Sequence, residues 1–191
     1  LEHVTDTNRG STAQISSTDI GKGTSHNRGS DVTGEYTLHA TSTSTVTGSE
    51  TDIDRGSTAQ ISSSNIGDST SDRTSNDVTG EYTLHSTSSS TATSTETDKN
   101  QGSTANITSS NVGHGTTDRA GNEVTGSYTL LHSTGNSTAT SIQTDTNQGS
   151  TAQITSTNVG ASTSDRTGND VTGDYSLSAT SSSTSTNTEK D

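Results

Sequence analysis

Two sequence blocks each occur four times at an almost constant interval, and this repeat constrains the fold more than any other feature. The block TDTNRGSTAQI (5–15) returns as TDIDRGSTAQI, TDKNQGSTANI and TDTNQGSTAQI. The block DVTGEYTL (31–38) returns as DVTGEYTL, EVTGSYTL and DVTGDYSL. Its tyrosines are Tyr36, Tyr82, Tyr128 and Tyr175, which gives a period of 46 residues, with 47 in the last interval. Periods of this size are typical of repeat arrays.

The repeat units follow one another without a linker, so we expect residues 1–191 to form a single continuous array. The approximate units are 5–50, 51–96, 97–143 and 144–191. The third unit reads YTLLH where the first reads YTLH, so Leu131 is the expected insertion. One extra residue would reverse the alternation of faces along a strand unless a β-bulge absorbs it. We therefore predict a bulge at Leu131.

Composition alone would indicate a disordered chain. Hydrophobic residues make up 19% of the sequence, against about 45–50% in a typical soluble domain. The chain holds 43 Thr and 37 Ser and has a net charge of −13. A chain with few apolar residues and a high net charge cannot usually bury enough surface to fold. Order must therefore come from the repeat.

The residues within each unit alternate with a period of two, which is the signature of β-strands. From Val32 to Val46 the even positions are apolar or small, and the odd positions are hydroxyl-bearing, acidic or His. The pattern predicts an all-β fold, either a β-solenoid or a stacked β-sheet array of four units of about 46 residues. Each half-unit of about 23 residues would form one coil. The four tyrosines would then lie in one ladder, with Thr43, Thr45 and Thr47 pointing outward.

Glycine-containing steps within each unit suggest where the turns lie. A glycine follows an Ile or Val at Gly21, Gly67, Gly113 and Gly160, and we interpret these steps as turns. Polar stretches such as SDRTSND (71–77) are expected to separate the strands.

Charge and residue content exclude several functional classes. With 9 basic and 22 acidic residues and no basic cluster, we expect no nucleic-acid partner. No apolar run is long enough for a membrane span, so we expect no membrane insertion. The absence of cysteine excludes disulfides and Cys-ligated zinc sites. Residue 1 is not Met, so we expect a processed chain or a segment of a longer protein.

The candidate catalytic residues do not form a recognisable set. The six histidines are His3, His26, His39, His85, His114 and His132. Only His39, His85 and His132 occupy equivalent positions, and we find no second ligand or base that repeats with them. No G-x-S-x-G motif is present. We therefore expect solvated histidines on a strand face, no cofactor and no enzyme activity.

A D-x-[ND]-x-G motif occurs once in each unit and is a candidate calcium site. Oxygen ligands at alternate positions before a glycine resemble the first half of a calcium loop, although the distal Glu of an EF-hand is missing. Ordinary Asp/Asn/Gly turns have the same pattern without an ion. The candidate ligands are Asp6, Asn8, Asp52, Asp54, Asp98, Asn100, Asp145 and Asn147.

The rows of alternating threonines are candidate sites for O-linked glycans. They are expected on the outward face of the strands, where unmodified threonine is the alternative. Only two N-linked sequons occur, at Asn106 and Asn136, and neither recurs in the other units. The O-linked candidates are Thr41, Thr43, Thr45, Thr47, Thr87, Thr91, Thr93, Thr95, Thr138, Thr140, Thr184 and Thr186.

Units such as DVTGEYTLHATSTSTVTGSETD and NEVTGSYTLLHSTGNSTATSIQTD resemble the tandem repeats of very large Thr/Ser/Gly-rich bacterial surface proteins, of the kind seen in planctomycetes. They also resemble the repeats of proteins that form glycan-coated extracellular fibrils in aquatic microbes. The resemblance covers the whole chain and rests on the V-T-G-x-Y-[TS]-L core. It implies a secreted structural role and carries over no functional residue.

The leading functional hypothesis is a structural component of an extracellular fibre or cell-surface stalk. Such an array would assemble with copies of itself head to tail and carry covalent glycans. The alternative is an ice-binding or adhesive module, because the T-x-T pairs Thr45/Thr47, Thr91/Thr93 and Thr138/Thr140 lie in register. A weakness of the ice-binding alternative is that T-x-T would occur only on alternate coils.

Overall fold

A computed structural model describes residues 2–8 and 11–191, without the side chains of residues 2, 3, 6–8, 129 and 130. These residues form nine β-strands in one antiparallel sheet, in which each strand pairs with the next along the chain. The strands are Glu2–Asn8 (β1), Ser11–Ser30 (β2), Glu35–Asp54 (β3), Ser57–Asn76 (β4), Glu81–Asn100 (β5), Ser103–Asn122 (β6), Ser127–Asn147 (β7), Ser150–Asn169 (β8) and Tyr175–Lys190 (β9).

The 46-residue period corresponds to one β-hairpin. Two strands of 20 residues, one two-residue turn and one four-residue turn make up this period, as in the stretch from β3 to the start of β5. Because the strands are equal in length, every residue of β3 pairs with both β2 and β4 in uninterrupted register. The predicted all-β repeat array is confirmed, and of its two alternatives the structure has the β-sheet array and not the β-solenoid.

Two details of the predicted array are wrong. The half-unit of about 23 residues is a strand with its turn, and not a coil, since all neighbouring strands run antiparallel. Gly21, Gly67 and their equivalents lie in the middle of strands and do not form turns. Small size explains three of these positions, because a Cβ would lie 3.1–3.2 Å from a serine hydroxyl oxygen at Gly67, Gly113 and Gly160. The stretch 71–77 likewise continues β4 as far as Asn76.

One edge of the sheet is formed by two-residue turns, which we name the tight-turn edge. It contains residues 55–56, 101–102 and 148–149. Arg55 and Gly56 have φ values of 45° and 91°, as a type I′ turn requires at both central positions. This turn matches the right-handed twist of the two strands it joins, and glycine meets its second position without strain.

The opposite edge, which we name the VTG edge, carries the four-residue turns at 31–34, 77–80 and 123–126, with a longer one at 170–174. In the second turn the Asn76 side-chain oxygen accepts hydrogen bonds from the backbone N–H groups of Val78 and Thr79, at 2.9 and 3.0 Å. Gly80, with φ of 75°, closes the turn by donating its N–H to the Asn76 carbonyl at 2.7 Å. An Asx motif and a glycine therefore define the turn.

Successive VTG turns also contact each other across the intervening hairpin. The Gly34 carbonyl accepts the Asp77 N–H, and the Gly80 carbonyl accepts the Glu123 N–H, both at 2.7 Å. The Asn122 side chain donates to the Thr79 carbonyl at 2.8 Å. Val124 fills the space beside Gly80, where a Cβ would meet its methyl group at 2.5 Å. The turns thus form a second hydrogen-bonded ladder along this edge.

The predicted bulge in the third unit is confirmed. The pairing of β7 shifts between Tyr128 and Leu131, and residues 129 and 130 lie within the shift. Leu131 then pairs with Arg119 and Arg166, as Leu84 pairs with Arg73 and Arg119 in the unit before. The inserted residue is therefore one of residues 129–130 and not Leu131.

The sheet is a single layer with almost no buried core. Among the described side chains Tyr128 is the one buried large apolar residue, with 4% of its surface exposed. Burial of apolar surface therefore contributes little to stability compared with an ordinary domain. Backbone pairing and cross-strand side-chain contacts must supply most of the stabilisation.

The turn ladder predicts an unequal effect of two asparagine substitutions. Asn122→Ala removes the acceptor of the Val124 and Thr125 N–H groups, both at 2.9 Å, together with the contact to Thr79. We expect it to lower the free energy of unfolding by about 1–2 kcal/mol. The control Asn111→Ala changes an exposed residue in mid-strand and should cost under about 0.5 kcal/mol. Urea unfolding of both variants checks the difference, and equal losses would contradict the role of the ladder.

Candidate functional site

The two faces of the sheet differ in chemistry. The face that carries Tyr36, Tyr82, Tyr128 and Tyr175 we name the tyrosine face, and the opposite face the threonine face. Pairing across β2–β9 places every threonine of these strands with a described side chain on the threonine face, apart from Thr117. The tyrosine face holds mainly Ser, Gly, Ala and Asn between its few large residues. This segregation makes the two faces separate candidate surfaces.

The tyrosines lie in one row, but they do not stack on each other as predicted. A strand lies between each pair, so Tyr82 pairs with Ser75 and Gly121, and Tyr128 with Gly121 and Gly168. A Cβ on Gly121 would lie 3.0 Å from the Tyr82 hydroxyl oxygen, so the ring covers the glycine. Exposure rises to 64% for Tyr175, on the last described strand. The row therefore alternates aromatic and small residues.

Arginines connect three of the tyrosines, Tyr82, Tyr128 and Tyr175, into a continuous row. Arg119 lies over the rings of Tyr82 and Tyr128, with its guanidinium carbon 5.4 and 5.5 Å from the two ring centres. Arg166 lies over Tyr128 and Tyr175 in the same way, at 5.2 and 4.8 Å. These distances are those of cation–π contacts.

The same arginines bind the VTG turns. Arg119 donates to the Asp170 carboxylate at 3.2 Å, and Arg73 donates to Glu123. Each of these bonds reaches from a strand to a turn of the next hairpin, about 50 residues further along the chain. The arginines thus tie the tyrosine face to the turn ladder.

The threonine face carries one row made only of threonine, with one residue from each strand of β2–β9. Its members are Thr24, Thr41, Thr70, Thr87, Thr116, Thr134, Thr163 and Thr180. Their hydroxyls bond in pairs, such as Thr70 with Thr87 at 2.6 Å and Thr116 with Thr134 at 2.6 Å. β-Branched side chains restrict the rotamer and favour the extended backbone, so this row reinforces the sheet at mid-width.

All twelve threonines predicted as glycan acceptors lie on the threonine face. Three of them already use their hydroxyls in cross-strand hydrogen bonds: Thr41 to Thr24 at 2.7 Å, Thr87 to Thr70, and Thr95 to Ser62 at 2.6 Å. Thr43, Thr47, Thr91 and Thr93 are exposed. The geometry thus divides the candidates into engaged and outward-facing hydroxyls.

A second row on the threonine face pairs histidine with aspartate, and it corrects the expectation of solvated histidines without a repeating partner. His39 contacts Asp72, and His85 contacts Asp118, each through Nδ1 at 2.5 Å, and His132 contacts Asp165. Each pair is separated by 33 residues. The Asp-Arg dipeptide recurs in the sequence at 72–73, 118–119 and 165–166, and this recurrence could have revealed the repeating aspartate partner. The side chains are about half exposed on an open surface.

The calcium candidates lie at the strand ends beside the tight turns. The side chains of Asp6 and Asn8 fall outside the described residues. The other six, from Asp52 to Asn147, face the tyrosine side, where Asp52 accepts a hydrogen bond from Ser11 at 3.3 Å and Asp145 from Gln143 at 2.9 Å. The type I′ turn accounts for the glycine of the motif. No group of three or more His, Asp or Glu that could hold a metal ion occurs among the described residues.

Comparison with known proteins does not assign the chain to a group: no protein-family model and no curated protein sequence matches it. In the described part of the chain, no helix has the length and apolar character needed to cross a membrane.

The Arg–Tyr row predicts that charge alone cannot replace arginine. Arg119→Lys keeps the positive charge but loses the planar contact with Tyr82 and Tyr128. We expect the free energy of unfolding to fall by about 1–2 kcal/mol. Arg55→Lys, in a tight turn with a side chain that is 85% exposed, is the matched control and should change it by less than about 0.5 kcal/mol. Thermal unfolding of both variants measures the difference, and a loss confined to Arg55→Lys would contradict it.

Proposed function

We propose that the chain is a structural, non-catalytic segment of an extracellular fibre or cell-surface stalk. The observation that supports this most directly is the hairpin period, because each added hairpin repeats the same register, the same rows and the same turn contacts. Such a sheet can lengthen without any change in local structure. Its residues serve cohesion between hairpins, which is the property that a fibre requires.

The outward sides of β2 and β9, at the two ends of the sheet, support growth by strand pairing. β1 pairs with residues 11–17 of β2, so within the described residues the rest of β2, 18–30, has no neighbour on that side. On the other side, within the described residues, the 16 residues of β9 have a neighbour only in β8, and all their side chains are exposed. An open edge presents backbone donors and acceptors to another strand. Head-to-tail assembly would join β9 of one copy to β2 of the next.

Two adjacent proline substitutions in β9 test this assembly. Successive residues of an antiparallel strand direct their N–H groups to opposite sides. Of Ser182→Pro and Ser183→Pro, one therefore removes a bond to β8 and the other removes a donor from the open edge. Thermal unfolding identifies the outward variant as the more stable of the two. We expect this variant to sediment as a 19.4 kDa monomer under conditions in which the unsubstituted chain forms longer species.

The inward proline variant is the matched control, since it carries the same substitution one residue away. Assembly of the outward variant to the same length as the unsubstituted chain would contradict growth through β9. An unsubstituted chain that stays monomeric at all concentrations would contradict head-to-tail assembly itself. Electron microscopy of the longer species adds a further check, because the strands should run perpendicular to the fibre axis.

O-linked glycans on the threonine face form the second part of the proposal. The outward threonines lie in flat, β-prone rows with little charge, and such rows promote sheet aggregation when bare. We expect native protein to lose mass on enzymatic deglycosylation, with sugars on Thr43, Thr47, Thr91 and Thr93. Thr117, the half-buried threonine of the tyrosine face, is the internal control and should be unmodified. Mass spectrometry of intact and enzymatically deglycosylated material gives the result, and an equal mass before and after deglycosylation would contradict it.

Ice binding is the second candidate function. The observation that favours it is the alignment of Thr45/Thr47, Thr91/Thr93 and Thr138/Thr140 with Thr184/Thr186 on one face. The strands between them place Ile66, Val112 and Val159 opposite the first threonine of each pair, so T-x-T occurs on alternate strands. Measurable thermal hysteresis of the unglycosylated chain would support this function, and its absence would contradict it.

A further inference from the structure

The tyrosine face is the more apolar side of the sheet, and no described segment of the chain covers it. It carries all four tyrosines and the leucines that pair with arginines, which are Leu38, Leu84, Leu131 and Leu177. It also carries Ile15, Ile61, Ile107 and Ile154, which alternate in their row with Glu50, Glu96 and Gln143. Leu38, Val46 and Ile61 are 36%, 42% and 36% exposed. A sheet with one apolar face ordinarily packs this face against another layer.

The charges on this face are ordered along the strands. On β3 its ten positions run from Tyr36 to Asp54, with Leu38 second and Asp52 second from the end. Leu38 pairs with Arg73, so the arginine row lies one position inside the VTG edge; its members are Arg73, Arg119 and Arg166. The aspartate row lies one position inside the tight-turn edge; its members are Asp52, Asp98 and Asp145. The two rows therefore occupy mirror-related positions.

We propose that a second copy of this chain packs its own tyrosine face against this one, with the VTG edge and the tight-turn edge exchanged between the two copies. A two-fold axis parallel to the succession of strands places the VTG edge of one copy over the tight-turn edge of the other. This arrangement sets each arginine row against the partner's aspartate row. The arrangement that keeps like edges together would instead oppose arginine to arginine and aspartate to aspartate. Charge complementarity selects the first arrangement.

The side chains of the two rows are available for this pairing. Arg73 and Arg119 each donate through one terminal nitrogen to a turn carboxylate, and a guanidinium has five N–H donors. Among the described residues Asp52, Asp98 and Asp145 form no salt bridge within the chain. The three aspartates alternate with alanines in their row, which are Ala59, Ala105 and Ala152. Small neighbours leave the carboxylates accessible to an opposing layer.

The middle of the face allows close contact between two layers. Its central rows consist of Ser and Gly, such as Ser42, Ser69, Ser88 and Gly115, and of Ser44, Gly67, Ser90 and Gly113. The seven strands β2–β8, each about 65 Å long, together with the shorter β1 and β9, all about 4.8 Å apart, give a face of roughly 2,500 Å². A stable protein interface needs about 800 Å² from each partner. Contact over one third of the tyrosine face is therefore sufficient.

This pairing does not rest on the proposed fibre. It joins the tyrosine faces of two copies, whereas head-to-tail growth joins the strands β9 and β2. Either kind of assembly can therefore fail while the other holds. The outward proline variant of β9 separates them, because it removes edge pairing and leaves the tyrosine face unchanged. Measurements of face pairing are therefore made in that variant and in the unsubstituted chain.

The first test neutralises the aspartate row. In Asp52→Asn/Asp98→Asn/Asp145→Asn we expect the dimer dissociation constant to rise at least tenfold in sedimentation velocity. The control Glu35→Gln/Asp68→Asn/Glu81→Gln removes the same number of charges from exposed residues of the threonine face and should leave it unchanged. Circular dichroism confirms that both variants keep the strand content. A dimer that both variants weaken equally, or that neither weakens, would overturn the proposal.

The second test determines the orientation by energy transfer between singly labelled chains. Asp77→Cys places a dye at the VTG edge and Lys99→Cys at the tight-turn edge, and the chain has no other cysteine. We expect strong transfer when donor-labelled Asp77→Cys is mixed with acceptor-labelled Lys99→Cys, and weak transfer when both labels are at position 77. Strong transfer in the second mixture indicates like edges together and would overturn the proposal, as would a monomer at every concentration.

Discussion

The structure depends on cross-strand hydrogen bonding between strands of equal length. Tyr128 is the only described large apolar side chain that is buried, so apolar burial cannot select one register over another here. Register is instead fixed by the two kinds of turn, which begin β2, β4, β6 and β8 at an equivalent serine and β3, β5 and β7 at the residue before the tyrosine. A single strand of different length would displace every row on both faces, because a shift of one residue exchanges the faces. The bulge in β7 prevents this displacement in the one unit that is a residue longer.

Constant register also explains how a chain with so few apolar residues acquires tertiary contacts. Each row collects side chains of complementary type from successive hairpins: arginine over tyrosine, histidine beside aspartate, threonine beside threonine. Each contact is worth little by itself, since exposed ion pairs and cross-strand pairs contribute roughly 0.2–1 kcal/mol. Repetition along the sheet compensates for this, because every hairpin adds the same set. The VTG turns add backbone hydrogen bonds between neighbouring hairpins, beyond those of the strand pairing.

The sequence predicts some of these features and not others, for physical reasons. Alternation over Val32–Val46 indicates strands and assigns each residue to a face, and the extra residue of YTLLH indicates the bulge. The alternation does not distinguish a coil from an antiparallel hairpin, because both place the same residues on the same faces. The hairpin signal was the dipeptide at Arg55-Gly56, where glycine follows a residue with positive φ. The pairing of His39 with Asp72 depends on the register between neighbouring strands, which follows only once the turns are known.

The orientation of the strands would have a mechanical consequence if the proposed fibre is placed under tension. In a sheet that lengthens by adding hairpins, tension along the axis of growth acts perpendicular to the strands. It therefore opens the hydrogen bonds of one hairpin in sequence, and does not shear all of them at once. Each hairpin that opens releases 46 residues, or about 150 Å of extended chain. Because the hairpins are nearly identical, they yield one after another at similar force, so the array absorbs work as it lengthens and can re-form when the tension ends.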